Sequence, residues 1–560
     1  MVKRESGFAV LLGCVLAFSS TRVEARDCPQ VDTLPPEATV GSFLRARLGG
    51  ERLQRSTTAQ EDGSGESPVP LDDASRLYSR FRLHFDYKAY EADPGAAPLW
   101  SEGEDADATW PGECDQRYRG VVRYHFQVEA DVLSGVLVGP LYPTVPMRAE
   151  SGSKWRHEAW QPAVDGGLFD PRMLSFGWLT PVGLLQVGLQ TSQFGLGVLA
   201  NSGDEEEERL LFDRRTGGDR VWRALFATRP FGALQSASWQ EDLYLALAAD
   251  LVWRDDFASW LDGDRAYQVV ASLFYRGDES FVGTYLARRM QRDAQGTRLD
   301  VTAVDGSFKV PFFQGHDTLS ASLGGEAVWL TGETDRVYPA NGERAVTRVD
   351  GKGLALEFEG YHLPTMLGSG VLAGVASGDG DLDDDTLYRF RFDPNYKVGL
   401  ILFDHYLPAV TRIYRERAMN LDVLGQAPRG VDNLVNDGAV ENAYYINPQL
   451  SLGKKKRGAL LGLGALIAWS PQPWADPYAT TENGGQPTGL NGRTTGLTKL
   501  GWEVDASLQY RFSLANDALW LAVRGEGGVF EAGEAFRGVV ESAELRERFT
   551  LVRGRVDLEW

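Results

Sequence analysis

The sequence predicts an all-β fold: a closed, antiparallel transmembrane β-barrel of about 18 strands, within a range of roughly 16 to 20, with short periplasmic turns and long extracellular loops. Three observations predict it. Strand-length segments alternate apolar and polar residues with period two, and short turn-rich links alternate with long, often acidic ones. No apolar run in the 560 residues approaches the ~18 that a spanning helix requires. The longest, Ala459 to Trp469, is interrupted by Gly462 and Gly464. At this length one large closed sheet is a better fit than a single conventional core.

At the start, Lys3 and Arg4 precede the apolar stretch Phe8 to Phe18, and Val23-Glu24-Ala25 supplies a small-residue cleavage site, so residues 1–25 read as a signal peptide. Leu11-Leu12-Gly13-Cys14 offers an alternative lipoprotein box but would leave a very short apolar segment. Removing residues 1–25 takes away Lys3, Arg4 and Arg22 against Glu5 and Glu24, moving the formal charge from −21 to −22. Such acidity disfavours a nucleic-acid partner. Cys28 and Cys114 are too few for a disulfide scaffold.

Residues 26–72 mix proline, glycine and charge without a sustained period. They read as a periplasmic N-terminal tail with a short possible helix near Phe43 to Leu53, and the barrel as 73–560. The first clear strand is Leu77 to Lys88, where Phe81, Leu83, Phe85 and Tyr87 alternate with Arg80, Arg82, His84 and Lys88. The next, Arg119 to Val132, sets Val122, Tyr124, Phe126 and Val128 against Arg123, His125, Gln127 and Glu129. Candidate strands then follow near 135–142, 172–180, 183–192, 219–230, 239–254, 264–277, 279–292, 297–310, 317–332, 348–362, 366–377, 440–453, 457–470, 498–513, 517–530 and 546–560. The segment 135–142 serves partly to make the number even, as a single-chain barrel with both termini on one side requires.

The final stretch places Val552, Val556, Leu558 and Trp560 on one side and Arg553, Arg555, Asp557 and Glu559 on the other. Its ending resembles the closing strand of bacterial outer-membrane barrels, which finish on an aromatic residue. That resemblance implies an outer-membrane location, a lipid-facing exterior, and contact of Trp560 with the barrel-assembly machinery.

Two further stretches carry a family resemblance. Gly374 to Asp385 followed by Phe392-Asp393-Pro394-Asn395-Tyr396, and Val187 to Gln190 leading into Phe194 to Asn201, are similar to segments of alginate-export-type outer-membrane barrels. Leu189 stands where that family carries an arginine. The resemblance implies a porin-like fold and does not imply the substrate.

With the apolar faces toward lipid, the charged faces line the lumen. Arg80, Arg82, His84, Arg123, Arg511, Arg524, Arg553 and Arg555 are the lumen and selectivity candidates, and with 74–88 and 546–560 adjacent at closure they could form a basic ladder favouring anions. The alternative is that they pair with neighbouring carboxylates. Asp379 to Val440 is the candidate constriction, with Arg389, Arg391, Arg412, Arg415 and Arg417 supplying positive charge; it could instead cover the barrel mouth from outside. The acidic run Asp379 to Asp385 lacks EF-hand spacing, and the six histidines lack a metal-ligand pattern, so no metal or cofactor is expected. No nucleophile elbow or phosphate-binding glycine loop appears, so no enzyme is expected. The predicted function is passage of small solutes or an exported anionic polymer, such as a polysaccharide, through a polar lumen. A non-conducting structural or adhesive barrel and a barrel-embedded lipid hydrolase are the alternatives.

Overall fold

The computed structural model describes residues 38–57, 74–91, 121–138, 169–180, 182–203, 218–231, 242–255, 257–277, 280–294, 296–312, 318–336, 346–380, 385–418, 434–436, 438–454, 457–483, 486–489, 496, 498–514, 519–536 and 547–559. It is a closed antiparallel barrel of 18 long strands. These are β1 (Ala38–Thr57), β2 (Ala74–Glu91), β3 (Val121–Val138), β4 (Phe169–Thr180), β5 (Gly183–Thr191), β6 (Arg220–Thr228), β7 (Leu243–Arg254), β8 (Arg265–Arg276) and β9 (Phe281–Arg292). They continue with β10 (Arg298–Phe312), β11 (Leu319–Thr334), β12 (Thr347–His362), β13 (Leu367–Ala376), β15 (Ala443–Gly453), β16 (Gly458–Trp469), β17 (Lys499–Leu514), β18 (Leu519–Ala532) and β19 (Glu547–Glu559). A two-residue strand, β14 (Thr386–Leu387), lies parallel to β12 at its loop end. Each long strand pairs with its neighbours in the chain, and β1 closes the ring against β19.

The alternation read from the sequence is the alternation of the wall. Leu83, Phe85, Phe176, Leu247, Val269, Leu354, Leu463, Leu508 and Val552 are exposed on the outside. Arg82, Glu129, Ser175, Asp250, Asp305, Glu326, Glu503 and Arg553 are buried on the inside. Closing the sheet leaves no edge strand, so the ring satisfies its own backbone. Outward Tyr and Trp side chains such as Trp178, Trp222, Tyr267 and Trp329 add amphipathic groups suited to a membrane interface.

Two expectations change here. Residues 38–57 are neither tail nor helix: they form β1, whose Glu51 opposes Arg553 on one side while Arg45 opposes Arg82 on the other. The barrel therefore begins well before residue 73. The segment 135–142 is not a separate strand, because β3 runs unbroken through Ser134-Gly135 to Val138. The strand number survives because one strand is gained and one is lost. Residues 1–37 and Trp560, and with them the signal-peptide and assembly-signal readings, lie outside the described residues.

Candidate functional site

After β13 the chain turns into the barrel. Phe390, Phe392 and Tyr396 pack edge to face, with centroids 5.9 and 5.5 Å apart. Val398 to Phe403 then lead through a π-turn, Leu402–Tyr406, into the helix Leu407–Ala418. The ring of Tyr406 sits 5.1, 4.9 and 5.2 Å from Phe530, Phe536 and Phe549. These aromatics belong to one buried hydrophobic cluster that joins the inner segment to the wall. The described part of the constriction candidate, residues 385–418, thus packs against the inner wall, while residues 381–384 and 419–433 lie outside the described residues.

What holds this segment in place is a carboxylate. Glu503, inward on β17, accepts hydrogen bonds from the backbone N–H groups of Leu400 (2.6 Å), Ile401 (2.8 Å) and Leu402 (2.8 Å). Carboxyl oxygens satisfy N–H groups that have no intrahelical partner where a helix begins, and Ile401 supplies no side-chain cap of its own. A second inward segment repeats the arrangement. Glu326 of β11 accepts from the N–H groups of Gly197 (3.0 Å), Val198 (2.9 Å) and Leu199 (3.1 Å). Gly195, at φ 55°, allows the approach: a Cβ there would stand 2.4 Å from Glu326 Oε2. The two segments meet, because the Asp393 N–H donates to the Val198 carbonyl at 2.7 Å.

Between these segments and the wall lies a cavity of about 280 Å³ toward the loop end. Tyr285, Ala287, Val301, Leu330 and Trp474 supply apolar lining, and Arg289, Arg336, Arg389 and Arg391 supply charge. Arg289 pairs with Asp255, Arg336 lies 3.7 Å from Asp293, and Arg389 (3.3 Å) and Arg391 both pair with Glu441. Burial pushes the Glu441 carboxyl up, but the two guanidiniums outweigh it and hold it below the ordinary carboxylate range. For Asp476 burial dominates, so its pKa is raised despite Arg417 at 3.0 Å.

Of the remaining constriction candidates, Arg412 is buried in the helix, Arg415 is half-buried, and Arg417 lies over the Tyr478 ring at 5.5 Å.

The proposed basic ladder is a paired network. Its geometry also differs, since β1 stands between β2 and β19: Arg80 opposes Arg47, which opposes Asp557, so Arg80 and Arg82 are not direct neighbours of Arg553 and Arg555. Arg82 pairs with Asp131 (2.8 Å), Arg553 with Glu51 (3.0 Å) and Glu526 (3.4 Å), and Arg524 with Glu526 (2.9 Å). Arg555 pairs with Asp557 (2.7 Å) and Arg511 with Glu559 (3.4 Å). His84 stacks on Phe43 at 4.5 Å and lies 3.2 Å from Glu129, while Arg123 donates to the Leu179 carbonyl at 3.0 Å. Arg80 is buried beside this group. Arg45, Arg47 and Arg172, which sequence reasoning missed, bind Glu559, Asp557 and Glu129.

No protein-family model matches this chain, and no curated protein matches its sequence. Among solved structures it is similar to Pseudomonas aeruginosa OccK11 (OpdR), at 12% identity over 93% of this chain and 96% of that one, with a TM-score of 0.41. It is also similar to Pseudomonas aeruginosa OccK2 (OpdF) in complex with glucuronate, at 10% identity over 93% and 97%, with a TM-score of 0.44. Acinetobacter baumannii OccAB1 matches at 9% identity over 92% and 96%, again at 0.44.

Proposed function

We propose that this protein is a bacterial outer-membrane channel that passes small anionic solutes, or an exported anionic polymer, through a charged lumen narrowed by the two inward segments. The observation that carries this reading is the lumen wall formed by β1 to β4 and β17 to β19. Eight arginines named above, Arg45, Arg47, Arg82, Arg172, Arg511, Arg524, Arg553 and Arg555, pair there with six carboxylates: Glu51, Glu129, Asp131, Glu526, Asp557 and Glu559. Guanidiniums held in a row along a polar, low-dielectric wall offer an anionic solute donors to exchange onto as it passes. The finer kinship with alginate-export-type barrels is part of this proposal and rests on the two stretches that resemble them, which meet at the hydrogen bond from the Asp393 N–H to the Val198 carbonyl. Trp560 serves as the assembly signal in this reading.

A second reading, a non-conducting scaffold, is favoured by the aromatic and aliphatic cluster around Tyr406, which fills part of the lumen. Single-channel recording in a planar bilayer under a salt gradient separates the two. Discrete steps with an anionic reversal potential are expected; silence from folded, inserted protein would favour the scaffold.

A further inference from the structure

The outer surface carries a charge arrangement that the lumen does not explain. At the loop end of β8, β9 and β10, Arg265 stands opposite Arg292, and Arg292 stands opposite Arg298. All three fall on the outward register, in phase with exposed Tyr267 and Met290 one outward step below. Like charges directly opposed across strands destabilise a sheet. Arg265 is satisfied by neutral groups, donating to the Trp260 and Asp264 carbonyls at 3.1 and 2.7 Å with its guanidinium 3.8 Å from the Trp260 ring centroid. Among the described residues no carboxylate lies within ion-pair distance of Arg292 or Arg298. Both side chains are exposed.

The row sits about 6 to 7 Å, two strand residues, above outward Tyr267, Met290 and Asp300, the last paired at 3.0 Å with exposed Arg288. The outward face turns apolar below that ion pair, at Leu286 opposite Val304, so the row and the pair form a polar band above an apolar wall. The hairpin joining β9 to β10 spans only residues 293–297, so these arginines stand just beneath a low point of the rim.

We propose that Arg265, Arg292 and Arg298 form an external site for a phosphorylated lipid headgroup of the leaflet at the loop end. Guanidiniums bind phosphate oxygens in pairs, and a phosphate lying across Arg292 and Arg298 turns their mutual repulsion into shared attraction. The acyl chains then lie below the polar band, along Leu273, Leu286 and Val304. This rests on the barrel lying in a membrane and not on its conducting.

The test uses the mature protein, folded in neutral detergent and titrated with diphosphoryl lipid A, with bound lipid counted by native mass spectrometry. Wild type is expected to retain the phosphorylated lipid and to bind its dephosphorylated form roughly ten-fold more weakly. The double variant R292Q/R298Q should lose affinity to a similar degree, while R292K/R298K keeps most of it. Equal binding of phosphorylated and dephosphorylated lipid by wild type would overturn the site, and that comparison does not depend on any variant folding. So would undiminished binding by a Gln variant that keeps the heat-sensitive gel mobility of a folded barrel. Inorganic phosphate at matched concentration should not displace the lipid; displacement would mark a free-anion site and also overturn the proposal.

Discussion

Glu441 is buried, and it connects the inner segment to itself by pairing with both Arg389 and Arg391. Because its folded pKa is lowered, the pair contributes stability that is fully present above the unfolded carboxylate value of about 4.3 and is lost as pH falls through the folded value. The inner segment should therefore loosen only in acid, below about pH 4. Fluorescence of Trp474, which lines the same cavity, together with protease sensitivity, should report the change. Glu441→Gln should bring the loosened state to neutral pH at a cost of about 3 kcal/mol, because it leaves two arginines facing a neutral group. If E441Q and wild type respond to acid alike, another group holds the segment. At this scale the sequence revealed which side chains are polar and inward, Arg82 and Arg553 among them, because alternation alone decides that. It did not reveal partners: Arg553 meets Glu51 across 502 positions of the chain.

At the scale of the element, β1 is the instructive case. Its outward side is thin, with Ala38, Val40, Leu44, Ala46 and Leu48 interspersed with Ser42, Gly50 and Arg52, and Gly49-Gly50 interrupts the pattern. Such a strand has little intrinsic β-propensity, and its conformation is decided by pairing on both sides, with β2 and β19. The split expected at Ser134-Gly135 has the same origin in reverse: the local turn signal survives only as a register shift, between the Phe81–Val132 and Ser79–Gly135 pairs, in a ladder that continues through it. The strands with strong alternation, such as β17, were legible because each face carries its own signal. Deleting residues 26–57 should leave 17 long strands, an odd number that brings β2 and β19 together in parallel orientation. The truncated chain is expected to lose the heat-sensitive gel mobility of a closed barrel; retention of that mobility would mean that β1 is dispensable.

For the whole molecule, charge pairing changes what substitution should do. Arg82 and Arg553 each hold buried carboxylates, so R82Q/R553Q removes two positive charges and also leaves Asp131, Glu51 and Glu526 undercompensated. The reversal potential should move toward cation preference by roughly two-fold or more in the permeability ratio. An unchanged ratio would show that ions pass elsewhere.

The sequence by itself determined the architecture: an all-β closed wall, its inward and outward faces, and the long segment after β13 as the one to watch. Those follow from period-two alternation and turn chemistry, which are local. Only the tertiary structure decided that the ring closes through residues 38–57, that the lumen arginines are paired, and that Glu326 and Glu503 anchor two segments that meet inside. Those depend on which residues far apart in the chain come to stand opposite one another, and register between distant strands is set by closure of the whole ring.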